Sequence, residues 1–410
     1  MPESVVERLI NTNPGMEVWW DSSPLIFEKW VKRMVEAAPA PRKAELEAQL
    51  LRLFNAQDPA KSLFRGCTTN PPLSLETVKS DPEFWNARID ELILAHPQMS
   101  AKELAWRVYK QVITRGAEMF WPLHEASSGR YGWVSGQLDP RLFTEREIMY
   151  EQADELAALH PNVMIKVPAS MEGVDVVRHL TSKAISTNVT TCFTLPQILA
   201  MARAAKEGLE IARKNGVNTS RWRAVITHMI GRLTERQDLL KQAQWRGIEI
   251  TEADRKWFGL AVFKRAYRML RDGGYPSKML LCSVRPGPLV AGKQRFWDIQ
   301  ELAGGDIVFT LPPYALEPMF VLGDDLDFRP HAIDDPVPQA SIDKILQIPY
   351  GIQAYDPNGL ALEQFNTHPA TQYTVADFSK AADGLEEYVS ARLALAKQAR
   401  TERVGDGVSV

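Results

Sequence analysis

Hydrophobic and polar positions along this chain follow two rhythms. Eight short runs are apolar or β-branched through most of their length: Met16–Asp21, Gly66–Asn70, Gly132–Gln137, Asn162–Pro168, Ile185–Phe193, Arg223–Ile230, Lys278–Arg285 and Gly305–Pro313. Runs this short read as strands of a buried parallel sheet. Between most of them the period lengthens to that of a helix. Pro196–Lys214 carries Ile198, Met201, Ala202, Ala205, Leu209 and Ile211 at near-helical spacing. Ile248–Asp272 carries Trp257, Leu260, Ala261, Phe263, Ala266 and Leu270 in the same way. Eight strands alternating with helices predict an α/β fold, the (β/α)8 TIM barrel. A doubly wound open sheet is the competing layout, but no Gly-x-Gly-x-x-Gly turn opens any of the helices.

Some of the chain exceeds a minimal barrel. Phe27–Leu53 and Asp81–Pro122 are long and helix-rich, and the second holds Leu92, Leu94, Leu104, Val108, Val112 and Phe120. Both are expected as helices inserted on one barrel domain, 1–410, rather than as a second domain. From Gly323 to Thr374 the chain is rich in Pro and Asp and has few periodic runs. Its length and irregularity suggest a place near the site mouth, shaping the choice of acceptor. An amphipathic helix then follows, with Phe378, Ala382, Leu385, Val389 and Leu393 on one side. This C-terminal extension, 323–410, is expected to pack on the barrel, and the tail beyond Thr401 to fray.

Composition narrows the function classes. The 410 residues are 45% hydrophobic and 24% charged, with net charge −3. That balance gives no electrostatic case for nucleic acid or an anionic membrane. No apolar run approaches the roughly 20 residues that span a bilayer. Met1-Pro-Glu-Ser has no basic region followed by an apolar stretch, so no secretory signal is visible. Cys67, Cys192 and Cys282 lie in strand-like segments, as reduced core thiols would. They lack metal-ligand spacing, and the seven histidines are scattered. The expected setting is the cytoplasm, with no structural metal.

Lys166 carries the chemistry. It sits inside the apolar run Asn162-Val-Met-Ile-Lys-Val-Pro168. Burial disfavours the charged ammonium and lowers its pKa. A neutral amine near a strand end can form a Schiff base with a carbonyl. The plain alternative is a lysine that snorkels to water. Barrel active sites lie at the carboxyl ends of strands, and reading off those ends gives Asp21, Thr69, Asn70, Gln137, Lys166, Asn188, Thr190, Thr227, His228, Ser283 and Arg285, with Arg232 close behind the sixth run. Singly, each has a dull reading: Asp21 as a helix cap, Asn70-Pro-Pro as a turn, Arg285-Pro-Gly as a surface loop. Together they suit a polyhydroxy substrate with a phosphate at one end.

These residues resemble the transaldolase family. The carrying segments are Val18-Trp-Trp-Asp21, Thr68-Thr-Asn-Pro71, Val134-Ser-Gly-Gln-Leu-Asp-Pro-Arg-Leu142, Ile165-Lys-Val-Pro-Ala-Ser-Met-Glu-Gly173, Ser186-Thr-Asn-Val-Thr190, Gly231-Arg232 and Ser283-Val-Arg285. They occur in the family's order, from about residue 16 to about residue 322, and the length resembles its longer subgroup. The resemblance implies that Lys166 holds a three-carbon dihydroxyacetone unit as an imine. It implies that Asp21 is the general base and acid, that Asn70 and Asn188 bind donor hydroxyls, and that Thr190 orients a water. Arg232, Ser283 and Arg285 would bind phosphate, with Thr227 among the substrate contacts. Phosphorylated ketoses and aldoses are the implied partners, and no cofactor is required, because the imine is the electron sink. Family habit weakly favours a homodimer.

Two positions depart from the pattern. Gln137 stands where the family carries a glutamate that moves protons through water. An amide orients water but cannot take its proton, and such help contributes ~10²–10⁴-fold. The related fructose-6-phosphate aldolases also carry glutamine there, with a tyrosine on strand six, where this chain has Met229. His228 beside it titrates near neutrality and is a candidate replacement acid–base group. Alternation along the strand is the competing reading, turning His228 away from the barrel centre. Glu172 is a weaker candidate, at a helix start where a carboxylate is favoured anyway.

Overall fold

The computed structural model describes residues 3–55 and 58–406. Eight parallel strands close into a barrel: β1 (Glu17–Trp20), β2 (Phe64–Cys67), β3 (Trp133–Gln137), β4 (Val163–Pro168), β5 (Thr187–Cys192), β6 (Ala224–Met229), β7 (Lys278–Cys282) and β8 (Val308–Leu311), with β8 pairing back onto β1. Each falls inside one of the eight runs read from the sequence, except that β2 begins slightly earlier. The register sets Gln137 beside Lys166 and Lys166 beside Asn188.

Alternation sorts the side chains. On β1, Glu17, Trp19 and Asp21 face inward, while Trp20 packs outward against Phe27, Trp30 and Phe64 at ring-centroid distances of 5.1–5.5 Å. Trp19 fits inside because β2 places Gly66 opposite it. A Cβ at Gly66 would lie 2.7 Å from the indole.

Helices cover the barrel. Leu195–Lys214 and Glu252–Asp272 match the two periodic patterns, although Ile211 is exposed. The first insertion forms helices Phe27–Ala37 and Lys43–Leu53. The second forms Pro82–Ala95 and Ala101–Ala126, and Leu94 faces solvent. Pro122 lies inside its helix rather than ending it.

The Pro- and Asp-rich stretch is not structureless. It holds short helices Gln339–Ile345 and Pro349–Tyr355. Most of it runs along the Glu252–Asp272 helix rather than over the mouth. Lys264 donates to the carbonyls of Ala332 and Asp335, and Asp254 accepts from Ser341 and Lys344. The helix Pro369–Asp406 begins before Thr374 and crosses the mouth instead. It is tied down by Arg141, which reaches Asp383 and Glu386 at 2.9 Å, and by Tyr388 with Asn86 and Arg392 with Asp90. Residues 407–410 of the tail, like residues 1 and 2, lie outside the described residues. Among the described residues no helix is long and apolar enough to cross a membrane.

Candidate active site

The carboxyl ends of the strands enclose a cavity of about 200 Å³. Lys166, from β4, is 4% exposed and forms part of its wall. Its Nζ donates to the Thr69 carbonyl at 3.0 Å. Burial lowers its pKa, opposed chiefly by the Asp21 charge. The side chain ends at the cavity wall rather than extending to the outer surface. The backbone holds this strand end closely: a Cβ at Gly173, opening the next helix, would stand 2.0 Å from the Pro168 carbonyl.

Asp21 follows β1 on the same cavity. Thr68 donates to its Oδ1 at 2.6 Å, and the Thr68 and Thr310 hydroxyls lie 2.5 Å apart. Burial raises the Asp21 pKa, opposed by Lys166, the Thr68 hydrogen bond and the two arginines. A lysine pushed down and a carboxyl pushed up share one space, so the amine reaches its neutral, nucleophilic form more readily than in water and the carboxylate is the stronger proton acceptor.

Two arginines form another part of the wall. Gly231 is required just before Arg232, because a Cβ there would meet the Ser283 carbonyl at 2.2 Å. The Gly231 N–H donates to that carbonyl at 3.1 Å, which ties the β6 loop to the β7 loop. Ser283 adopts a positive φ of 59°. Arg285 is fixed from behind by a buried pair: Asp298 accepts its backbone N–H at 2.8 Å and pairs with Lys256 at 2.9 Å. Lys256 also donates to the Arg285 carbonyl at 2.7 Å.

The predicted residues divide into groups. Asp21, Asn70, Lys166, Thr227, Arg232, Ser283 and Arg285 all line the cavity. Asn70 also caps the helix Pro71–Ser80, accepting from the Leu73 N–H at 2.9 Å, so its dull reading holds as well. Asn188, Thr190 and Gln137 do not line it. Asn188 donates to Ser135 and accepts from Thr227 at 2.6 Å, which fixes the Thr227 hydroxyl from inside the barrel. The Thr190 hydroxyl faces the Met229 sulfur at 3.9 Å. Gln137 is 3% exposed, and its Oε1 has no partner among the described residues.

His228 requires correction. Alternation turns it outward, where it is fully buried with its ring 6.0 Å from that of Phe263. Neither ring nitrogen has a partner among the described residues, and burial pushes its pKa down to about 3. It is not among the residues that line the cavity, so its placement gives no support to an acid–base role. Glu172 likewise stands apart, accepting from Asn366 at 2.8 Å.

Sequence reasoning missed three contributors. The Tyr314 hydroxyl accepts from Arg285 at 2.7 Å, and its pKa is pushed up to about 12 by burial. Phe378, from the C-terminal helix, forms part of the cavity wall, and Asp377 beside it pairs with Arg232 at 2.6 Å. Tyr314 directly follows the eighth run and could have been found by extending the strand-end reading by one residue. Nothing local marks Asp377 or Phe378, which lie far along the chain.

Comparison with known proteins identifies the family. A transaldolase of Kocuria rhizophila is 29% identical over 206 residues, which is 50% of this chain and 55% of that protein. Another, of Arthrobacter sp. strain FB24, is 28% identical over 275 residues, 62% and 71% of the two chains. A third, of Saccharopolyspora erythraea, is 26% identical over 277 residues, 64% and 72%. The chain thus spans about half the length of the Kocuria relative and nearly three quarters of the other two. The family model described as Transaldolase/Fructose-6-phosphate aldolase matches residues 52–390, well over half of the sequence. The chain belongs to the transaldolase/fructose-6-phosphate aldolase family.

Proposed function

We propose that this protein is a transaldolase-like enzyme that moves a three-carbon dihydroxyacetone unit between phosphorylated sugars. The observation that carries the reading is the buried amine of Lys166 facing the same small cavity as a raised-pKa carboxyl and two arginines. The neutral amine attacks the ketose carbonyl and water leaves, giving an imine. Asp21 takes the proton from the sugar hydroxyl next to the scissile bond. That carbon–carbon bond breaks, its electron pair moves into the imine as an enamine, and the aldehyde fragment departs. The enamine then attacks an acceptor aldehyde, the proton returns from Asp21, and water hydrolyses the new imine to release the ketose and the Lys166 amine. Arg232, Ser283 and Arg285 bind the phosphate, arginine being suited to bidentate oxyanion contacts. The reaction is placed in the cytoplasm.

Gln137 favours a second reading, a specialised aldolase with an altered donor or acceptor. An unpartnered amide oxygen at this position can hold a water but cannot deprotonate it.

Borohydride trapping with fructose 6-phosphate, read by peptide mass spectrometry, tests both. A reduced three-carbon adduct on Lys166 supports carbon–carbon cleavage. An adduct of the whole sugar supports imine formation with a different natural donor. A protein stabilised by the sugar phosphate but forming no adduct would refute the first reading and point to a binding protein or to an enzyme whose donor is another ketose.

A further inference from the structure

The two arginines proposed for phosphate are already engaged by the protein itself. Arg232 Nη2 meets Asp377 Oδ2 at 2.6 Å, and its guanidinium carbon lies 5.0 Å from the centre of the Phe378 ring. Arg285 donates to Tyr314 and has Glu235 at 3.6 Å. Each guanidinium thus faces a carboxylate, so this part of the cavity wall is close to electrically neutral before any ligand enters. Glu235 lies in the segment after β6, three residues beyond Arg232, whereas Arg285 follows β7. Asp377 belongs to neither segment: it is delivered by the C-terminal helix, which is anchored separately through Arg141, Tyr388 and Arg392.

We infer that Asp377 is a specificity-determining residue whose carboxylate competes with the phosphate of the substrate for Arg232. The inference rests on the phosphate reading of Arg232 and deepens it. A guanidinium has five N–H donors, so one carboxylate does not exhaust it. A dianionic phosphate arriving beside Asp377 nevertheless meets a like charge held by the helix. It must either displace that carboxylate or share the arginine with it. Neutral donors that place no anion there meet no such penalty. The C-terminal helix therefore weakens selection for phosphorylated over unphosphorylated ligands, and Phe378 supplies cover without charge.

The test uses the full chain and inorganic phosphate as probe, titrated by calorimetry at constant ionic strength. Asp377→Asn is expected to bind phosphate roughly three- to fivefold more tightly than wild type, the upper effect of one half-exposed ion pair. Phe378→Leu, which keeps the charge, is expected to change affinity less than twofold. In steady state, Asp377→Asn lowers KM for fructose 6-phosphate by a similar factor with kcat held, and leaves KM for dihydroxyacetone unchanged. Unchanged or weaker phosphate binding in Asp377→Asn overturns the inference, showing that Asp377 only positions Arg232. Asp377→Ser repeats the measurement if the asparagine variant melts early. If wild type forms no borohydride adduct while Asp377→Asn still gains phosphate affinity, the competition stands and the transferase reading fails.

Discussion

The two ends of the barrel hold similar charges to opposite effect. At the amino end, Glu17 accepts from Arg223 at 2.6 Å and from Lys278 at 2.9 Å, beside a cavity of about 660 Å³. At the carboxyl end, Asp21 and Lys166 share a cavity of about 200 Å³, and Asp21 forms no ion pair among the described residues. Glu17 and Asp21 lie four residues apart on one inward-facing row. Burial acts to raise both pKa values. At Glu17 the two cations overcome it and the pKa falls, whereas at Asp21 burial wins and the pKa rises. The larger cavity is not the one proposed as the site. Reactivity follows from charge left incompletely compensated, and a satisfied network of similar composition serves as structure.

The comparison breaks most sharply at Lys166. Lys166→Ala should abolish the borohydride adduct outright, and retention of an adduct elsewhere would move the site. Lys166→Met should melt no lower than wild type, because it removes a buried amine rather than a structural pair. Linkage gives the sign. The folded pKa of Lys166 lies below its unfolded value, so between the two the unfolded chain holds more protons and wild type gains stability as pH rises. The Met variant should lack that gain in denaturation at alkaline pH.

Glu17→Gln should do the reverse, losing about 3 kcal/mol in urea unfolding, because it leaves the partly buried Arg223 without its carboxylate and Lys278 with Asp306 alone. Its folded pKa lies below the unfolded value, so the Glu17 contribution is full above about pH 4.5 and is lost as pH falls through the folded pKa. Asp21 has the opposite sign: between its unfolded and raised folded pKa, stability falls as pH rises. Acid-limb titrations of Glu17→Gln and Asp21→Asn should deviate from wild type in opposite directions.

Gln137→Glu sharpens the comparison from the reactive end. It puts a titratable carboxyl beside Lys166 in the register, and should speed adduct formation roughly 100-fold, the low end of the range for general acid–base help. An unchanged single-turnover rate would show that proton transfer through this position does not limit the reaction. The smallest effect belongs to His228. His228→Leu should leave activity unchanged and match or exceed wild-type stability, since two orphaned ring nitrogens are removed. Wild type should lose stability relative to this variant as pH falls below about 6.5, where the unfolded imidazole takes a proton that the buried one, with a pKa of about 3, refuses.

The sequence by itself determined the eight strands and the barrel, because a strand buried on both faces must be a short apolar run and each run here is one. It also singled out Lys166 as a lysine inside such a run, while leaving open a side chain that snorkels to water, and it brought Asp21, Arg232 and Arg285 to the same end through their places at strand termini. Alternation, applied strictly, would have removed His228, whose parity on β6 is opposite to that of Thr227 and Met229. The tertiary structure alone decided which polar residues line the cavity and which, like Asn188 and Ser135, brace them from within. It alone decided that Glu17 is quenched and Asp21 is not, because Arg223 and Lys278 reach Glu17 only when the barrel closes. It also carried Asp377 and Phe378 to Arg232 across 145 positions of sequence. No local pattern encodes that contact, because helix periodicity specifies a face to be buried and not the surface that will bury it.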